Sequence, residues 1–73
     1  MAKTQMQLAN RAWRNLTKRY GWQRAFQTKR AWKAFCRENA GATLESQREG
    51  MTEPFENYAD AEWQVMEEMS YWD

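Results

Sequence analysis

The sequence has no histidine and a single cysteine, Cys36. Without histidine, the chain lacks the commonest general base and the commonest metal ligand. One cysteine excludes an internal disulfide and a thiolate metal cluster. Because Cys36 falls on the apolar stripe of the second predicted helix, we expect it to be a buried structural thiol. Because no set of a nucleophile and a base is present, we expect a protein that is not an enzyme and holds no metal or cofactor.

Long apolar runs are also missing. No stretch approaches the roughly 20 apolar residues that a membrane-spanning helix needs. The N-terminal residues lack the apolar segment of a secretory signal. We therefore predict a reduced, cytoplasmic protein without a membrane partner. With 73 residues the chain forms one domain at most, and we predict a single domain over 1–73.

Acidic residues are absent from the first 37 positions, and basic residues are nearly absent from the rest. Ten of the eleven Lys and Arg residues precede Glu38, and all ten Asp and Glu residues lie from Glu38 onward. The formal net charge of +1 therefore hides a strongly basic half and a strongly acidic half. Like charges within each half repel each other, so we expect this segregation to serve contacts within the molecule or with a partner.

Apolar periodicity predicts an all-α fold with a small three-helix arrangement. Two basic amphipathic helices form a helical hairpin over 1–38, a linker or short turn follows over 39–52, and an acidic, aromatic helical segment covers 53–73. The first helix ends at Gly21 in a left-handed cap, and the second runs from Trp22 to Glu38. The last helix occupies about Tyr58 to Tyr71, and Pro54 after Thr52 predicts a helical turn before it.

Three cations line the outer face of each basic helix at helical spacing. They are Arg11, Arg14 and Lys18 on the first helix and Arg30, Lys33 and Arg37 on the second. Two adjacent cationic ridges can follow a phosphate backbone, so we predict binding to nucleic acid, DNA or RNA, or to a nucleoprotein surface. No acid interleaves with them, although pairing along a helix would favour one. An intramolecular or solvated role for these cations and a surface for an acidic protein partner are the alternatives.

Two aromatic residues do not fit the apolar stripes of their helices. Phe26 falls roughly 120° from the stripe of the second helix, and Trp63 falls roughly 160° from that of the last. Both are candidate protein-interface residues, as are Glu62 and Glu67 beside Trp63. A second functional interpretation has Phe26 stacking on an unpaired base, with Arg30 beside it. The alternative for both residues is internal packing, with Phe26 under the C-terminal segment and Trp63 in a second internal contact.

These features favour a small non-enzymatic regulatory protein of the phage type. It would dock on a nucleic-acid machine such as RNA polymerase or a nuclease complex, with the basic helices on nucleic acid and the acidic segment on protein. One alternative is an inhibitor whose acidic half mimics nucleic acid. Another is a structural homodimer that pairs the basic half of one chain with the acidic half of the other.

Overall fold

The computed structural model describes residues 4–71, which contain three α-helices and no β-strand. Helix α1 spans Gln5–Arg19, α2 spans Lys29–Arg48 and α3 spans Tyr58–Met69, with a 3-10 turn at Trp22–Ala25 between α1 and α2. The predicted all-α, three-helix fold is therefore confirmed. The outermost positions of the predicted helical segments, 1–3 and 72–73, lie outside the described residues.

Helix α1 begins and ends at residues suited to those positions. Thr4 Oγ1 accepts a hydrogen bond from the Gln7 backbone N–H at 3.1 Å, and Gln7 Oε1 accepts one from the Thr4 N–H at 2.8 Å, which forms a capping box. After the helix, Gly21 adopts a φ of +80°, a conformation that glycine reaches without a Cβ penalty. The predicted glycine cap of the first helix is confirmed.

The prediction for the second helix is wrong at both ends. Its expected first turn is the 3-10 turn, and α2 begins after Thr28, whose hydroxyl accepts from the Ala31 N–H at 3.1 Å. The helix then continues past Glu38 to Arg48, through most of the predicted linker. The buried residues of α2 recur at helical spacing past that point; they are Trp32, Cys36, Ala40 and Thr43. The free energy gained by packing this continued face outweighs the cost of Gly41, because glycine inside a helix is about 1 kcal/mol less favourable than alanine.

The core forms where α1 packs against both α2 and α3. Trp13 and Leu16 of α1 are fully buried or nearly so, as are Trp32 of α2 and Val65 of α3. Cys36 is also fully buried, and this burial raises the pKa of its thiol. A neutral, buried thiol is a poor nucleophile, so the prediction of a buried structural cysteine is confirmed.

Two tryptophan–threonine hydrogen bonds cross the α1–α2 interface in opposite directions. Trp32 Nε1 of α2 donates to Thr17 Oγ1 of α1 at 2.8 Å, and Trp13 Nε1 of α1 donates to Thr43 Oγ1 of α2 at 3.0 Å. Both threonines are fully buried, and Thr17 donates in turn to the Trp13 backbone carbonyl at 2.6 Å. Each indole N–H thus has an acceptor inside the core. The hydrogen bond offsets the loss of water around the N–H, so both large rings can be buried.

Gln5 ties the segment before α3 to the start of α1. Its Nε2 donates to the Phe55 carbonyl at 2.9 Å, and its Oε1 accepts from the Phe55 N–H at 2.7 Å. Helix α3 begins at Tyr58, after Asn57 accepts from the backbone N–H one turn later. The helical turn predicted at Thr52 and Pro54 is therefore wrong, because Asn57 and not Thr52 caps α3.

Candidate nucleic-acid interface

The cations predicted on the first helix line an open concavity of about 470 Å³, which we call the α1 groove. Its lining consists of three cations, three side-chain amides and one ring, namely Arg11, Arg14, Lys18, Gln7, Asn10, Asn15 and Trp32. All three cations are exposed to solvent. Positive charge and amide groups side by side are the groups that contact phosphates and base edges in nucleic-acid complexes.

Two aromatic rings position the arginines of the α1 groove. The guanidinium carbon of Arg11 lies 5.3 Å from the centroid of the Tyr58 ring, and that of Arg14 lies 5.9 Å from the Trp32 ring. Both distances are within the range of cation–π attraction. Asn15 holds the Tyr58 ring, because its Nδ2 donates to the Tyr58 hydroxyl at 2.9 Å. The two guanidinium groups are therefore partly ordered before a ligand binds, which reduces the entropy lost on binding.

The cations predicted on the second helix line another concavity, of about 410 Å³, which we call the α2 basic face. Its lining residues are Lys29, Arg30, Lys33, Ala34 and Arg37, and all are exposed. The structure thus places the six predicted cations in two groups of three, each spread over about 10 Å of helix axis. Trp32 contacts Arg14 of the first group and is the chain neighbour of Lys33 in the second.

The acidic half does not neutralise these six cations within residues 4–71. Two ion pairs form in that part of the chain, Arg19 with Glu62 at 3.9 Å and Arg48 with Glu45 at 3.7 Å. Neither arginine belongs to the two groups. Across the described residues, the positive charge of both concavities is therefore open to a ligand.

Phe26 lies against the core and does not project with the basic residues. Its side chain is half-buried, and its ring centroid lies 5.0 Å from that of Phe35. The reason is the backbone, because Phe26 follows the 3-10 turn with an extended conformation and has no place on a helix face. The packing partner is a residue of α2, whereas the internal alternative expected the C-terminal segment.

Trp63 lies on the outer side of α3 and is 69% exposed. With Met66 and Glu67 it lines a concavity of about 190 Å³. Glu67 is exposed, whereas Glu62 is half-buried and paired with Arg19. Within the described residues, Trp63 is therefore not covered by a second internal contact.

Besides Cys36, two titratable groups between the helices have raised pKa values. Burial raises the pKa of Tyr58, and the hydrogen bond from Asn15 opposes that shift. Burial also raises the pKa of Glu68, although the Thr43 hydroxyl donates to Glu68 Oε2 at 2.8 Å and favours the charged form. Neither group lines the α1 groove, but the Tyr58 ring lies beneath Arg11 and its hydroxyl is bonded to Asn15, so Tyr58 is electrostatically coupled to the groove.

Sequence reasoning missed the side chains that hold the arginines. Nothing in the sequence places Trp32 or Tyr58 beneath an arginine. The link between Asn15 and Tyr58 joins residues 43 positions apart. No local pattern marks such a pair, because it arises from the way α3 packs on α1.

No family model, curated protein or solved structure matches this chain. The described residues hold no cluster of three or more acidic, cysteine or histidine side chains that could hold a metal ion. None of their helices has the length and apolar character to cross a membrane. The two basic concavities are therefore the features of the described residues that indicate a function.

Proposed function

We propose that this protein binds nucleic acid through its phosphate backbone, with the α1 groove and the α2 basic face as the contact surface. The observation that carries the proposal is the set of six exposed cations that form no ion pair within residues 4–71. Regulation of a larger complex, such as a polymerase or nuclease, would build on this contact and stays a prediction.

The arrangement of the cations suits a row of phosphates. Each group of three extends over about 10 Å of helix, and duplex DNA carries one negative charge per about 1.7 Å of its axis. Each phosphate that a cation neutralises releases condensed counterions, and this release supplies most of the affinity of non-specific binding. The two arginines that lie over aromatic rings contribute planar donors that match phosphate oxygens.

The amides of the α1 groove extend the same contact. Gln7, Asn10 and Asn15 can donate to phosphate oxygens or bond to base edges. Arginines lie over both rings at the α1 groove, so neither ring is open for a base to stack on it. The proposal is therefore binding with little sequence preference.

The experiment compares two double variants that remove the same charge. Arg11→Ala with Arg14→Ala removes two cations of the α1 groove. Arg24→Ala with Arg48→Ala removes two exposed arginines that line neither basic concavity. Fluorescence anisotropy of a labelled duplex and of a labelled single strand at low salt measures the dissociation constants.

We expect the groove variant to lose about tenfold or more in affinity, because two charge-assisted phosphate contacts disappear. The control variant is expected to change much less, through the smaller long-range effect of net charge. Equal losses in both variants would contradict a localised site. Absence of binding by the wild type to both probes at low salt would refute the proposed function.

A further inference from the structure

The outer side of α3 carries an apolar surface that no described residue covers. Trp63 is 69% exposed, and Met66 and Glu67 lie beside it around a concavity of about 190 Å³. Ala59, one helical turn before Trp63, is exposed as well. A large exposed ring with neighbouring apolar and acidic side chains is typical of an interface anchor.

The charge around this surface restricts what can cover it. From Glu49 to the end of the sequence there are eight acidic residues and no basic one. Two α3 helices placed face to face would bring like charges together, which is unfavourable across an interface. The surface therefore fits an occupant that surrounds an apolar contact with positive charge.

The α2 basic face of the same chain has that chemistry. Four cations surround the small, exposed side chain of Ala34 in a concavity of about 410 Å³. Lysine and arginine stems supply apolar walls while their charged ends reach outward. Those ends can lie over the indole face or pair with a carboxylate.

We propose that α3 docks on the α2 basic face of a second copy of this chain. Trp63 of one copy inserts beside Ala34 of the other, and Glu67 pairs with the cations around that site. Each copy carries both surfaces. If each of two copies docks its α3 on the α2 basic face of the other, the contact closes into a dimer; if each docks on a different copy, the contact extends into a longer chain.

This self-association does not depend on the proposed function, but the two share the α2 basic face. Nucleic acid on that face would exclude the second copy, so the two events compete. Trp63 belongs to self-association alone, and Arg14 belongs to the α1 groove alone. Variants at these two positions therefore separate the two proposals.

Sedimentation velocity over a range of protein and salt concentrations tests the self-association. The wild type is expected to exceed its monomer mass of 8.8 kDa at low salt and to return to it as salt rises, because the ionic contacts are screened. Trp63→Ala is expected to weaken association by at least about tenfold. Tyr20→Ala, which removes a 51% exposed ring from the end of α1, is the control and is expected to associate like the wild type.

A charge exchange locates the contact more sharply. Lys33→Glu and Glu67→Lys are each expected to weaken association, because each places like charges across the interface. An equimolar mixture of the two variants is expected to recover association. The altered α2 basic face of the Lys33→Glu variant then meets the altered α3 of the Glu67→Lys variant, and their charges are opposite. The unaltered surfaces of the two variants also match. Circular dichroism checks that every variant keeps its helices.

A wild type that stays monomeric at every concentration and salt would overturn this proposal. Association that survives Trp63→Ala, or a mixture that fails to recover, would also overturn it. Arg14→Ala is expected to weaken oligonucleotide binding without changing association, so failure of the nucleic-acid proposal would be seen separately.

Discussion

Replacement of Thr17 by valine tests whether the crossed tryptophan–threonine hydrogen bonds hold α1 and α2 together. Valine keeps the shape of threonine, so it opens no cavity, but it removes the acceptor that lies 2.8 Å from Trp32 Nε1. Thr17 is fully buried and Trp32 is 4% exposed, so water is largely excluded from the N–H. A buried donor without a partner costs about 1–3 kcal/mol. We expect the free energy of unfolding to fall by about 2 kcal/mol, the middle of that range.

Urea denaturation followed by tryptophan fluorescence measures this loss. Thr17→Ser is the matched control, because it keeps the hydroxyl and removes one methyl group, at a cost of about 1 kcal/mol. The valine variant is therefore expected to be the less stable of the two. A valine variant as stable as the wild type would refute the role assigned to the hydroxyl.

Two further predictions concern α2 and α3. Gly41 lies inside α2, and a Cβ there would meet nothing within 4 Å. Gly41→Ala is therefore expected to raise the free energy of unfolding, measured by chemical denaturation, by about 0.5–1 kcal/mol. Gly50, with a φ of +80°, is the control, since Gly50→Ala is expected to destabilise; a loss at Gly41 would contradict a continuous α2. Burial raises the pKa of Glu68 above its ordinary value of 4.5, so the folded protein holds this proton more tightly than the unfolded chain does. The resulting stability is present below about pH 4.5 and is lost as the pH rises through the folded pKa. Glu68→Gln is therefore expected to exceed the wild type in stability at neutral pH, with a gain that shrinks toward pH 4.5, and a gain independent of pH would rule out this explanation.

The elements that local signals define were predictable from the sequence. The glycine at position 21 marks the end of α1, and the predicted apolar stripe contains the buried Trp13 and Leu16. The start of α1 was not predicted at Thr4, although the capping box of Thr4 and Gln7 bounds the helix there. The helical wheel placed Trp63 opposite the stripe of α3, which is where the structure has it. In each case, residues within a few positions of one another carry the information.

The errors arise where tertiary packing outweighs a local signal. The sequence predicts a linker from residue 39, around Gly41, but Ala40 and Thr43 continue the buried face of α2 through it. Thr43 lies in that predicted linker, although its hydroxyl accepts a hydrogen bond from the Trp13 indole inside the core. Phe26 was placed on a helix because no glycine or proline marks the irregular segment before Thr28.

The candidate site divides in the same way. Charge segregation and helical spacing predicted which cations lie on each helix. The rings beneath Arg11 and Arg14 were not predictable, since Tyr58 reaches Arg11 through the packing of α3 on α1. Local sequence thus predicts the charge of the surface, and tertiary structure determines which arginine side chains are ordered by a neighbouring ring.

The salt dependence of oligonucleotide binding by the wild type tests the central claim most directly. If the two groups of cations neutralise three to six phosphates of a duplex, the logarithm of the association constant falls against the logarithm of salt concentration with a slope of about −3 to −5. Anisotropy titrations at several salt concentrations give this slope. A slope near zero would contradict the account, because binding would then not depend on these cations.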